Sequence, residues 1–255
     1  MFFVLKKDMK KCMVQDYHYL NSGTVQNNYP LPLISKLVDK VGKAKYFMKF
    51  DLCWGYNNIQ MKEGDKWKVA FTMHHGVFEP LVMYFGLMNS PAMFQTMMNS
   101  IMQDLINEGV VVVYIDNILI FTTTEEKHDR VTEEVLKRIK ENVLFLKVEK
   151  GLWKQSEIEF LGLYIGLDGM RMDETKMKAI TDWPVLRTVK DVRSFLGLAN
   201  FYQCFVDGFS KIAAPMNKLL RNDQTWEWKE EQQEVFDTLK VKFTTNPILT
   251  TPDHE

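Results

Sequence analysis

The stretch Val110-Val111-Val112-Val113-Tyr114-Ile115-Asp116-Asn117-Ile118-Leu119-Ile120-Phe121 places two β-forming apolar runs on either side of a polar pair, Asp116-Asn117. Such a pattern predicts a β-hairpin with a tight turn, because Asp and Asn tolerate the positive φ that two-residue turns require. The hairpin lifts the Asp116 carboxylate to the tip of two buried strands. A carboxylate held rigidly there suits a metal-dependent phosphoryl-transfer site. A complete site of that kind is expected to carry a second carboxylate next to the first, and Asn117 stands there instead.

Around the hairpin, the chain reads as mixed strands and helices. Residues 1–5 suggest a short strand and Asn21 to Pro32 a polar loop. Leu33 to Val41 has helical spacing and ends at Gly42, and Tyr46 to Leu52 alternates as a strand that delivers Asp51 near its end. Trp67–Phe71 and Val77–Met83 read as a strand pair around His74-His75-Gly76. Pro91 opens a helix running to Glu108, with Gly109 as its stop. Glu125 to Glu141 is an amphipathic, charge-rich helix. Ile158–Ile165 and Gly169–Met172 suggest a hairpin with Asp168-Gly169 in its turn. After Asp173 helical patterns dominate: 175–182, 189–205, 212–220 and 230–243. Asn246 to Leu249 reads as the entry to a further domain. Mixed elements followed by helices imply an α+β body with a helical appendage.

The 255 residues suffice for a full core, and an apolar content of 46% with 25% charged residues is ordinary for a globular chain. A net charge of −1 does not by itself announce a nucleic-acid binder. Cys12, Cys53 and Cys204 are far apart with no Cys-x-x-Cys, which points to a reducing compartment and away from zinc. No apolar run approaches the roughly 18 residues of a membrane span, and no targeting signal is visible. Sixteen methionines are many for this length, and several occupy polar or loop positions where packing gives no reason for them.

Asp51 and Asp116 both close strand patterns. Two carboxylates on adjacent strands suit hard divalent cations, and a pair of such ions can stabilise the attacking and leaving oxygens of an in-line displacement. An aspartate also simply ends a strand, and position alone does not decide between these readings.

Other segments bring in a family. Val14-Gln15-Asp16-Tyr17-His18-Tyr19-Leu20-Asn21 with Tyr29-Pro30-Leu31-Pro32, Lys49 to Tyr56, Phe85 to Gln95, Tyr114-Ile115-Asp116-Asn117, Phe160-Leu161-Gly162-Leu163 and Ser194 to Tyr202 occur in order. Together they closely resemble the reverse transcriptase of gypsy-type long-terminal-repeat retrotransposons. The resemblance implies a right-hand polymerase fold, with fingers and palm at 1–172, thumb at 173–222, and the start of a connection or RNase H-like region at 223–255. A start inside the fingers implies an N-terminal truncation. The resemblance also implies RNA-directed DNA polymerase activity using dNTPs and a primed RNA or DNA template, with two Mg²⁺ ions (Mn²⁺ as a substitute) at Asp51 and Asp116. In this reading the backbone of Phe50 and Leu52 faces the triphosphate, and Tyr56 is the steric gate against a ribose 2′-hydroxyl. Phe85 and Gln95 fall in the nucleotide-pocket motif, where Gln95 equally fits a helix surface. Phe160, Leu161 and Gly162 form the primer grip. The implied location is the cytoplasm, within a virus-like particle, or the nucleus; the resemblance leaves the oligomeric state open.

The departures from the family fall at polar positions. Asn117 replaces the second aspartate of the catalytic motif. Cys12 and His18 replace two fingers arginines, and neither carries a fixed charge near pH 7. Met48, Met88 and Met93 stand where Thr is frequent, and Gln203 and Cys204 stand where Arg is usual. Each exchange can arise from a single C-to-T transition on one DNA strand. We therefore hypothesise that this copy decayed by cytosine deamination; coding DNA with no transition excess over intact copies would rule that out. The expectation is an impaired polymerase, with a catalytically inactive remnant that only binds nucleic acid as the alternative. The other features read plainly: His74-His75 as an exposed turn, Trp226 and Trp228 as packing, and Lys147, Lys150 and Lys154 as either phosphate contacts or surface charges.

Overall fold

The computed structural model describes residues 2–5, 9, 11–32, 40–221, 225–245 and 248–249. The chain forms two compact units, one of residues 1–33 and 47–154, the other of 34–46 and 155–255. The helix expected from Leu33 lies outside the described residues except at Lys40 and Val41.

The first unit begins with strands β1 (Phe2–Leu5) and β2 (Lys11–Val14), paired antiparallel, and a short helix α1 (His18–Ser22). β3 (Tyr46–Asp51) enters its main sheet. β4 (Phe71–Met73) and β5 (Gly76–Phe78) form a separate two-stranded ribbon with His74-His75 at its exposed tip. This ribbon is shorter than the sequence pattern suggests. Lys66–Val69 is a 3₁₀ turn instead of a strand, and it buries only Val69. Helices α2 (Ser90–Ile101) and α3 (Gln103–Asn107) replace the single expected helix. They part at Met102, where the freed Ile101 carbonyl accepts a hydrogen bond from Arg138 Nη1 at 3.0 Å. Gly109, at φ +73, ends the segment.

β6 (Val111–Tyr114), β7 (Asn117–Thr122), the long helix α4 (Glu125–Glu141) and β8 (Leu152–Gln155) complete the unit. The main sheet has the order β6-β7-β3-β8. Every residue from Val111 to Val113 and from Ile118 to Thr122 is buried, without alternation, as expected of strands covered on both faces. Phe94 and Met98 of α2 and Val131, Val135 and Ile139 of α4 supply that cover. The 1, 5, 9 spacing of the last three puts them on one helical stripe. α4 starts at Thr124, whose side chain accepts from the Lys127 N–H; Glu125 and Glu126 lie in its first turn and Arg138 and Lys140 in its last, matching the helix dipole.

In the second unit β9 (Glu157–Phe160), β10 (Leu163–Gly166) and β11 (Gly169–Met172) form an antiparallel meander. The run read as one strand, 158–165, thus folds back on itself at Leu161-Gly162, at φ +56 and +78. The next turn holds Leu167-Asp168, with Gly169 already paired to Gly166. Helices α5 (Glu174–Thr181), α6 (Val189–Phe201), α7 (Phe209–Ile212), α8 (Ala214–Lys218) and α9 (Glu230–Thr245) follow. α6 opens with a capping box, Thr188 and Asp191 exchanging side-chain and backbone hydrogen bonds. Its buried stripe, Val192, Phe195, Leu196 and Ala199, includes an edge-on contact of Phe195 with Phe236 of α9 at 4.8 Å. The last strand, β12 (Ile248–Leu249), pairs with β11 and so extends the meander's sheet.

Candidate active site

The hairpin turn is built from Ile115 and Asp116, with Tyr114 paired to Asn117. This differs from the Asp-Asn centre that residue preferences favour. Ile115 takes φ +54, a region a β-branched residue rarely occupies. Its N–H donates to Gln95 Oε1 at 2.7 Å, while Gln95 Nε2 donates to the Val113 carbonyl at 3.0 Å. One buried amide therefore grips both sides of the turn. Gln95 is fully buried, so it does not lie on an exposed helix surface.

Asp51 ends β3, and its neighbour Leu52 donates its N–H to the Asp116 carbonyl at 2.8 Å. That bond sets the two aspartates side by side at one end of the sheet. The other flank is fixed by Lys147 N–H to the Asp51 carbonyl at 2.9 Å and Cys53 N–H to the Phe145 carbonyl at 2.6 Å. Asn117 Nδ2 donates to Asp116 Oδ1 at 3.2 Å, and Lys147 Nζ lies 3.9 Å from Asp116 Oδ2. Among the described residues, no ion pair or side-chain hydrogen bond engages the Asp51 carboxylate, and no cluster of three His, Cys, Asp or Glu side chains is placed to hold a metal.

Phe50 and Leu52 are buried as whole residues, backbone included, and the Leu52 N–H is already taken by the Asp116 carbonyl. Tyr56 sits in the 3₁₀ turn Gly55–Asn58 with its ring 4.8 Å from Phe85 and 6.0 Å from Phe94. Burial raises its phenol pKa, and the charges of Asp116 and Tyr114 add to this, so the hydroxyl stays neutral. Phe85 is half exposed. The segment bearing Phe85 is fastened by asparagines of its own and of the polar loop 21–32. Asn21 Nδ2 donates to the Gly86 carbonyl at 2.8 Å and its Oδ1 accepts from Met88 N–H at 2.9 Å. Asn89 likewise accepts from Asn27 N–H and donates to the Val25 carbonyl, both at 2.9 Å. The recurrence of Asn in a Pro-punctuated stretch was the available signal.

The remaining predicted residues scatter. His18 is almost fully exposed and bonds to Asp16. The Cys12 side chain lies outside the described residues, as does that of Lys150. Lys154 pairs with Glu125 and Asp129 on α4. In the second unit Phe160 is buried, and Leu161 and Gly162 form the β9–β10 turn beside Lys176 and Tyr202. Trp228 donates to Gln233 and packs edge-on to Phe236.

Comparison with known proteins points to one family. The family described as "Reverse transcriptase (RNA-dependent DNA polymerase)" matches residues 4–165. The chain is 35% identical over 247 residues to the Transposon Tf2-7 polyprotein of Schizosaccharomyces pombe, covering 97% of this chain and 18% of that protein. It is 36% identical over 244 residues to the Retrovirus-related Pol polyprotein from transposon 297 of Drosophila melanogaster, covering 95% and 23%. The chain thus spans about a fifth of the length of these relatives. Among solved structures, a foamy viral protease-reverse transcriptase in complex with RNA/DNA hybrid aligns at TM-score 0.80 and 25% identity, over 99% of this chain and 34% of that one. A second form of that enzyme, in complex with double-stranded DNA, aligns at 0.82 and 26%, over 99% and 44%.

Proposed function

The chain belongs to the reverse transcriptase (RNA-dependent DNA polymerase) family, and from that premise we propose that it is a retrotransposon polymerase domain that transfers nucleotides from dNTPs to a primer 3′ end. The observation that carries this reading is the Leu52–Asp116 hydrogen bond, which unites the two strand-end aspartates. Reverse transcriptases use divalent metal ions, and the donor set here, two carboxylates and an amide oxygen, is the hard-oxygen chemistry such ions prefer. Asp51 and Asp116 would hold two Mg²⁺ ions, with Mn²⁺ as a substitute. When bound, the ions stabilise charge on the attacking and leaving oxygens.

The chain's own residues do the rest. Tyr56, neutral and wedged against Phe85 and Phe94, forms a wall of the kind that excludes a ribose 2′-hydroxyl. Phe85 offers a half-exposed ring for the incoming base or sugar. Primer and template, RNA or DNA, are the polymeric partners, in keeping with the hybrid and duplex bound by the foamy viral enzyme. The site lies in the cytoplasm, within a virus-like particle, or in the nucleus. Activity is impaired, because Asn117 supplies no charge and Lys147 places a competing cation beside Asp116.

Primer extension by the purified chain on a homopolymer template tests the proposal. Slow, metal-dependent extension that Asp116→Asn abolishes is expected. Tight primer–template binding with no extension under any metal would instead identify a remnant that binds nucleic acid only.

A further inference from the structure

Gln95 cannot fix the catalytic turn unaided, since a side-chain amide on a helix has several rotamers and two ends. What fixes it is a chain of hydrogen bonds. Asn99, one helical turn further along α2, accepts the second hydrogen of Gln95 Nε2 on its Oδ1 at 2.8 Å. Asn99 Nδ2 in turn donates to the Tyr29 hydroxyl at 2.8 Å, in the polar loop 70 positions earlier. Each link admits one polarity. The Ile115 N–H requires an oxygen and the Val113 carbonyl requires a donor, which orients Gln95. The Gln95 donor then requires the Asn99 oxygen, which leaves the Asn99 amine for Tyr29.

We propose that Asn99 and Tyr29 are positioning residues for the Asp116 turn, acting through Gln95; the inference rests on the polymerase reading only for its consequence, not for its geometry. Ile115 holds a left-handed conformation that persists only where surrounding structure over-determines it. The relay supplies that restraint from the interior, and the adjacent Asp116 inherits its direction. Removing the Asn99 oxygen leaves a fully buried amine hydrogen without an acceptor and frees the Gln95 amide to rotate.

The test is native-state amide exchange at Ile115, read by NMR on the full chain, with Val111 in the same hairpin as the internal reference. Asn99→Ala should speed exchange at Ile115 roughly tenfold relative to Val111. Asn99→Asp, which keeps the accepting oxygen and can receive the Tyr29 hydroxyl proton, should restore the wild-type ratio. Tyr29→Phe, nearly isosteric and only half-buried, should give a smaller rise and remains informative if Asn99→Ala does not fold. Mn²⁺ affinity, followed by paramagnetic broadening near Asp51, should fall in parallel with the loss of Ile115 protection. An unchanged Ile115/Val111 ratio in the variants that fold, or a failure of Asn99→Asp to restore it, overturns the proposal. Primer extension is run beside these measurements: its absence in every variant bears on the polymerase reading and leaves the exchange result standing.

Discussion

Asn117 and an aspartate have the same shape and differ by one charge, so this position isolates electrostatics from packing. Asn117 is the first paired residue of β7, and its backbone is set by Tyr114 across the ladder. Asn117→Asp should therefore leave the hairpin intact and add a charge where a cation would sit. A recovery of about 3 kcal/mol in the transition state corresponds to more than about a hundredfold in rate. Primer extension of the two proteins side by side, with Mn²⁺ titration, measures it. A second residue-scale prediction concerns pH. The Arg138 guanidinium, bonded to both carboxylate oxygens of Asp104, holds that carboxyl at about 2, below its ordinary 3.8. A depressed carboxylate contributes stability above its unfolded pKa and loses it as pH falls through the folded one. The Tm should thus drop more steeply between about pH 4 and 2 in the wild type than in Asp104→Asn, though the exposure of Asp104 keeps the difference small. At this scale the placement of Asp51 at a strand end and of Asp116 at a hairpin tip was legible in the sequence. Gln95, Asn99 and the loop asparagines were not, because their roles rest on partners 18 to 70 positions away and nothing local marks those partners.

Elements were legible where their ends carry chemistry. Residues 125–141 form the expected helix, with Thr124 capping one end and basic residues at the other. Two turns were shifted by a residue. Local preference favours Asp and Asn in a left-handed turn, but Gln95 holds Ile115 there instead, and pairing of Gly166 with Gly169 places Leu167-Asp168 in the other. Substitutions at element ends should then cost in proportion to what they disconnect. Thr188→Ala removes one half of the α6 capping box and should lower stability by about 1 kcal/mol in denaturant unfolding. Gly162→Ala meets two obstacles, a φ of +78 and a new Cβ 2.9 Å from the Tyr202 hydroxyl oxygen. A loss of about 2 kcal/mol is expected in the same assay.

Across the whole molecule the division into two units crosses the chain at 33/34, 46/47 and 154/155, so the β9–β11 meander shares a unit with the helices that follow it. These units follow contacts, which a linear pattern of strands and helices does not display. Each unit buries aromatic residues of its own. Phe195→Ala, at 0% exposure against Phe236, should cost about 3–5 kcal/mol, read from faster amide exchange in α6 and α9.

The loop of residues 21–32 also has a history in time. Asn21 and Asn89, with Asn27, close contacts spanning 62 to 67 positions, and Tyr29 reaches Asn99 across 70. Contacts that distant in sequence form late, after the local turns and helices. During synthesis at about 5–20 residues per second, the loop waits several seconds before its partners exist. The segment that bears Phe85 is thus fastened near the end of folding, and conditions that slow or perturb elongation should disturb that segment before they disturb the sheet beneath it.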